Sequence, residues 1–247
     1  MGGSAVDLRL ARAISHARTR FGAAAIVTGG VLERRRAERR FATGTSLDAV
    51  LGGGMAPGEP LALVGRGSCG KITVALRLAA ASQQDGGMVA WIDPSASLDA
   101  VAALRAGVDL DRFIVVRPAS RDDALLAGAA ALRSDGFRLV AFDAGPRSIA
   151  GAARAATGLD VDDAAPLVPI VHGSIAALLV IAETRGRRTA LPSLVVERVA
   201  WDERFGRTSG WTFSVSRGGA HALFHTSAFS PGLTDLGTRE QLRVAAG

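Results

Sequence analysis

Gly65-Arg66-Gly67-Ser68-Cys69-Gly70-Lys71 sets two glycines five positions apart and follows the second directly with a lysine. A loop of this spacing can turn its backbone N–H groups inward around an anion, while the lysine carries a compact ammonium on a slender stem to the outer phosphates of a nucleotide. Of the 29 lysines and arginines in the chain, Lys71 alone is a lysine. A composition that writes arginine everywhere else keeps lysine where a wide planar guanidinium would thread badly among backbone amides. The chemistry these residues name is phosphate binding by Gly65, Arg66, Gly67, Ser68, Cys69, Gly70, Lys71, Ile72 and Thr73.

Hydrolysis needs more than a cradle. The position after the lysine ordinarily carries a hydroxyl that binds magnesium, and here it is Ile72. Thr73 comes next, but one residue along a helix rotates a side chain by about 100°, so it does not simply take over. Magnesium binding is therefore in doubt. Arg66 either supplies positive charge in place of the ion or points into solvent. A second oxygen donor is Asp143, which closes the apolar run Leu139-Val140-Ala141-Phe142. A strand ending in aspartate puts a carboxylate beside the metal at the edge of a sheet, although many strands end in Asp merely as a turn or cap.

The elements that must position these groups alternate. Pro60 to Val64 reads as a buried strand leading into the loop, and Lys71 to Gln83 as the helix leaving it. Strands follow at Met88 to Asp93, Phe113 to Val116 and Arg138 to Phe142, with helices at Leu98 to Arg105 and Arg121 to Arg133 between them. Alternation at this spacing predicts βαβ units and a mostly parallel sheet covered on both faces. Pro146 to Gly173, interrupted by Pro166 and Pro169, is expected to be irregular with short helices. Ile175 to Ile181 is a further apolar strand, followed by Arg185-Gly186-Arg187-Arg188 in a loop. From Ser193 onward the pattern alternates, and Leu194 to Trp201, Gly210 to Ser216 and Ala220 to His225 read as antiparallel strands joined by turns such as Arg217-Gly218-Gly219. Trp201 and Trp211 on these strands are expected to pack within the sheet.

Toward the start, Leu8, Ala11, Ile14 and Ala17 recur at helical spacing between Asp7 and Phe21. The run Glu33 to Arg40 reads as a linker or solvated face, and Thr43 to Gly54 as a short helix closed by glycines. The expected division is a helix and basic linker over 1–42, a core with its antiparallel extension over 43–229, and a tail over 230–247 that is loose apart from a short helix at Arg239 to Val244.

Composition narrows the function classes. At 247 residues and 48% hydrophobic content the chain can bury a sizeable core. The net charge of +6 is compatible with a nucleic acid or acidic protein partner without demonstrating either. Cys69 is the one cysteine, which excludes an intrachain disulfide and any multi-cysteine metal cluster and fits a reducing cytoplasm. His172, His221 and His225 lack plausible metal companions. Apolar runs are of strand length, well short of the roughly 18 residues that suggest a membrane span, and the first residues lack a signal peptide's apolar core. A cytoplasmic protein with no membrane partner is expected.

With the loop, the stretch Val89-Ala90-Trp91-Ile92-Asp93-Pro94-Ser95-Ala96-Ser97-Leu98-Asp99, the stretch Ala106 to Phe113 and the Asp143 strand in one order, residues from about Thr43 to Arg188 resemble the core of the RecA recombinase family. The overall layout is most similar to the short ImuA-type members of that superfamily, which act in damage-induced mutagenesis. The resemblance implies an α/β, RecA-like P-loop core: a mostly parallel sheet flanked by helices, with antiparallel C-terminal strands and an N-terminal helical arm. It implies ATP as the ligand. The family's water-activating glutamate, two residues after the second strand's aspartate, is matched here by Ser95, and a hydroxyl of high pKa is a poor base. With Ile72, this implies a degenerate ATPase. The loops that face nucleic acid in the family are matched by Arg147 and by Arg185, Arg187 and Arg188, which would meet single-stranded DNA or a protein partner. The ImuA likeness implies an accessory role in error-prone translesion synthesis, with a Y-family-like polymerase as partner and contact with RecA itself. The alternative is an active DNA-dependent ATPase or recombinase in which Thr73, Asp93 or Asp143 compensates. A RecA-type regulator unrelated to mutagenesis is the third possibility.

Overall fold

The computed structural model describes residues 11–16, 19, 40–144, 161–183, 189–227 and 233–238. The chain divides into two compact units, Met1–Arg39 and Arg40–Gly247. In the first, residues 11–16 and Thr19 are helical, within the stretch whose spacing predicts a helix. The remainder of that stretch and Glu33 to Arg39 lie outside the described residues.

In the second unit nine described strands form one sheet. They are β1 Pro60–Gly65, β2 Met88–Ile92, β3 Phe113–Val116, β4 Phe137–Asp143, β5 Ala177–Glu183, β6 Ser193–Arg204, β7 Arg207–Arg217, β8 Ala220–Ser227 and β9 Leu233–Thr238, in the order β3-β2-β4-β5-β1-β6-β7-β8-β9. The ladders from β3 to β6 are parallel and those from β6 to β9 antiparallel. The switch follows from the connections. A parallel neighbour needs a long crossover, whereas β6, β7 and β8 are joined by the two-residue turns Phe205-Gly206 and Gly218-Gly219, which only antiparallel pairing allows. This is the architecture that the alternation of strand and helix patterns predicts.

The middle strands are apolar without interruption because both faces are covered. Every residue of β1 is buried. Alternate side chains of β1 supply two cores: Leu61 and Leu63 join Val74, Leu78, Trp91 and Leu179 on one face, while Ala62 and Val64 join Ile92, Leu132, Phe142 and Val180 on the other. The first face is closed by α1 (Leu47–Leu51) and α2 (Lys71–Ser82), the second by α4 (Arg121–Arg133) and α5 (Val168–His172). Between them in sequence, α3 (Ala100–Arg105) takes its N-cap from Asp99, whose side chain accepts from the Val101 amide. α4 starts on Ser120, which accepts from the Asp123 amide, with Asp122 and Asp123 in the first turn and Arg133 in the last, matching the helix dipole at both ends. Val161–Leu167 is a 3-10 helix running into α5, so the described part of Pro146 to Gly173 consists of short helices as expected.

The tail differs from expectation. Leu233–Thr238 pairs antiparallel with β8 as an edge strand, whereas this sequence, with Asp235 and Gly237 inside it, carries little strand propensity. A side-chain anchor supplies what propensity lacks. The Ser46 amide and hydroxyl both donate to the Asp235 carboxylate, and the Gly237 amide donates to it as well. Burial at Asp235 favours the neutral acid, but these three donors outweigh it and hold its pKa below the ordinary aspartate value. A carboxylate whose folded pKa is depressed contributes stability above its unfolded pKa and loses it as pH falls through the folded value. Amide exchange in Leu233–Thr238 should therefore accelerate on acidification below about pH 4, before the parallel strands respond, and Asp235→Asn should remove that acid step. The predicted helix at Arg239 to Val244 lies outside the described residues.

Candidate phosphate-binding site

Parallel pairing in the order β2-β4-β5-β1 delivers four strand ends to one edge of the sheet. Gly65 stands opposite Glu183, Asp143 opposite Ile181, and Ile92 opposite Phe142. The carboxyl edge of a parallel sheet is where ligands bind in open α/β folds. Here it carries the glycine loop after β1, Asp93 after β2, Asp143 ending β4 and Glu183 ending β5.

The loop is wound by two glycines with positive φ, Gly67 at 54° and Gly70 at 101°. Gly70 is also required sterically, since a Cβ there would lie 2.9 Å from the Phe213 ring of β7. A Cβ on Gly65 would lie 2.2 Å from the Val196 carbonyl oxygen of β6 and 2.5 Å from Cys69 Sγ. Two glycines that the phosphate reading explains by cradle shape are thus also held by packing against the antiparallel extension. Arg198 of β6 adds a polar tie, donating to the Ser68 carbonyl at 2.9 Å. Its guanidinium also lies 4.1 Å from the centre of the Trp201 ring.

Lys71 is 8% exposed. Its ammonium donates to the Gly65 and Gly67 carbonyls, each at 2.9 Å, with Cys69 Sγ at 3.7 Å. These neighbours carry partial charges only, and no described carboxylate forms an ion pair with it. A buried cation without a full counter-charge is expensive unless a ligand supplies one, so the arrangement is suited to an anion.

A cavity of about 540 Å³ opens over the loop. Gly67 through Thr73 line it, together with Asp143, Ser97, Ile181, Ala182, Glu183 and Trp211. The structure therefore brings Ser68, Cys69, Gly70, Lys71, Ile72, Thr73 and Asp143 to one place. Ile72 faces the cavity at the position where a hydroxyl was sought. Thr73 faces it too, although its rotation along α2 argued against that. Gly65 lies beneath as a carbonyl acceptor for Lys71, and Arg66 is exposed and outside the cavity lining. Ser95 is not on the wall. Its hydroxyl lies 3.2 Å from Asp93 Oδ1 and 2.9 Å from Ser97 Oγ, with one proton to give to either. Asp93 is fully buried and committed to the turn after β2, accepting from the Ser97 and Leu98 amides with Arg117 3.7 Å away. Ser97 continues this chain of hydroxyls and donates to Asp143 Oδ2 at 3.4 Å.

Arg147, Arg185, Arg187 and Arg188 lie outside the described residues. Among those described, no group of three or more His, Cys, Asp or Glu is arranged to hold a metal ion, and His225 is engaged by Asp202. Sequence reasoning missed Ser97, Glu183, Trp211 and Arg198, which reach the loop only through strand order. Trp201, expected to pack within the sheet, is 46% exposed and meets Trp211 edge-on at 5.8 Å.

A family model, the RecA N-terminal domain, matches residues 8–162. The protein RecA of Synechocystis sp. is 35% identical over 123 residues, 50% of this chain and 35% of that protein. The protein RecA of Heliobacterium modesticaldum is 35% identical over 136 residues, covering 54% and 39%. That of Clostridioides difficile is 39% identical over 98 residues, covering 39% and 28%. The chain thus spans between 28% and 39% of the length of these curated relatives.

Proposed function

From the premise that this chain belongs to the RecA family, we propose that it is an ImuA-type accessory protein of error-prone translesion DNA synthesis, a cytoplasmic docking platform whose loop holds a nucleoside phosphate without splitting it. The observation that carries this reading is the pairing of a retained Lys71 with an Ile72 that faces the same cavity. The cradle is kept, while the first turn of the helix offers an alkyl group where a metal-binding oxygen belongs.

The residues fit a nucleoside phosphate well. The first-turn amides of α2, from Lys71 to Thr73, have no intrahelical acceptor, and the Lys71 ammonium, held between the Gly65 and Gly67 carbonyls, would meet the outer phosphates. Bound ATP would supply a high-energy phosphoanhydride. The chain's own part is to neutralise phosphate with Lys71 and to enclose it under the loop. Magnesium fits less well at the start of the helix, where Ile72 offers no oxygen; the side-chain oxygens on the wall belong to Ser68, Thr73, Ser97, Asp143 and Glu183. Water activation lacks a base at Ser95, whose hydroxyl lies 3.2 Å from Asp93 Oδ1.

Partner engagement then rests on protein surfaces, with a Y-family-like polymerase as principal partner and RecA as a second. Single-stranded DNA would be met by Arg147 and the Arg185, Arg187 and Arg188 loop, in a manner independent of sequence. Recovery of a polymerase subunit with the tagged chain from damaged cells supports the platform. DNA-stimulated ATP turnover abolished by Lys71→Ala would sink it.

That outcome belongs to the second reading, an active DNA-dependent ATPase, which the presence of Thr73 and Asp143 on one cavity wall favours. The substitution Ile72→Thr separates the two. On the platform reading, magnesium changes wild-type ATP affinity by less than about threefold, and Ile72→Thr raises that response to about tenfold by restoring one charge-assisted oxygen contact. Isothermal titration with and without the ion measures both. A wild-type response as strong as that of the variant would favour the ATPase.

A further inference from the structure

Glu183 terminates β5 directly opposite Gly65, and its Oε1 accepts a hydrogen bond from the Gly67 amide at 3.2 Å. A carboxylate thus sits on an N–H group of the very loop that is shaped to receive phosphate oxygens. The same Gly67 carries on its carbonyl the Lys71 ammonium. Both the cation that would serve an outer phosphate and the anion that would oppose it therefore meet at one residue of the loop. Glu183 also lines the cavity that holds Lys71, Ile72 and Thr73.

Resting on the reading of this loop as a phosphate cradle, we propose that Glu183 is a specificity-determining residue: a fixed negative charge at the outer end of the cradle that selects ligands with fewer phosphates, nucleoside diphosphates over triphosphates. Phosphates at the start of α2 meet backbone amides and the helix N-terminus. A further phosphate, extending toward Gly67, meets a carboxylate already hydrogen-bonded there. Like charges a few ångströms apart in a partly enclosed site repel strongly, and magnesium, which would normally mask the added charge, has only a depleted set of donors at Ile72. Retaining the triphosphate requires Glu183 to swing away and release the Gly67 amide.

Glu183→Gln keeps the shape and the acceptor oxygen while removing the charge, and Glu183→Ala removes both. ADP and ATP are titrated calorimetrically against the full chain, each variant and Lys71→Ala. The wild type is expected to bind ADP more tightly than ATP, and both Glu183 variants to gain about tenfold in ATP affinity with a much smaller change for ADP. Unchanged ATP and ADP affinities in the Glu183 variants, with both weakened by Lys71→Ala, would overturn the charge gate and leave the cradle standing. Absence of binding by every form at millimolar ligand would overturn the cradle and the gate with it. Binding of ATP by the Glu183 variants alone would support both.

Discussion

Lys71→Ala is expected to weaken ATP and ADP binding by about 10- to 100-fold, the range for loss of a charge-assisted hydrogen bond to phosphate, while leaving the unliganded protein as stable as before or slightly more so. The second half distinguishes this lysine from an ordinary core residue. Its ammonium is buried among carbonyl oxygens and a sulfur, with no described carboxylate to balance it, so removing it relieves a desolvated charge. A structural lysine would show the reverse: a lower melting temperature and no effect on ligands. Differential scanning fluorimetry at rising ADP concentration reads both quantities, because a ligand that binds only the folded state raises the midpoint by mass action. The wild-type midpoint should climb with ligand, and that of Lys71→Ala should begin level and climb only at about 10- to 100-fold higher ligand concentration.

Gly65→Ala should have the largest effect on stability. Its Cβ would be driven to 2.2 Å from the Val196 carbonyl oxygen and 2.5 Å from Cys69 Sγ. The first of these atoms is sheet backbone, which cannot rotate aside. Overpacking of this kind costs about 3 kcal/mol, equivalent to a fall of about 6–12 °C in melting temperature for a unit of this size. Gly67→Ala is the internal control. Among the described residues, no atom beyond its chain neighbours lies within 4 Å of its added Cβ, but φ is 54°, so the left-handed backbone penalty of about 1–2 kcal/mol is the expected cost. Ordering of the two substitutions by thermal unfolding tests whether packing or loop conformation dominates here. Equal losses would mean that the sheet yields at Val196.

The contrast between these glycines bears on what the sequence could disclose. The loop, its lysine and the strand ending at Asp143 were legible because spacing along the chain encodes them. So were the middle strands, whose uninterrupted apolar runs reflect burial on both faces. Glu183, Ser97, Trp211 and Arg198 were not, because each comes to the loop from another strand or strand end, and their proximity depends on the order β2-β4-β5-β1-β6-β7. The matching of Asp93 to a family position was visible, but its burial and its hydrogen bonds to the turn at Ser97 and Leu98 emerge only in three dimensions. The ninth strand escaped for a different reason: it is held by Asp235 gripping Ser46, 189 residues away, and not by its own propensity.

The pairing of Trp201 with Trp211 makes the site its own optical reporter. The chain has three tryptophans. Trp91 is sealed in the core against Phe113, and Trp201 and Trp211 stand edge-on on the extension, the second of them on the cavity wall. Emission excited in the indole band therefore comes from one shielded ring and one coupled pair. Iodide quenching should divide it into an inaccessible and an accessible fraction, and filling the cavity should alter the intensity of the second without any attached dye.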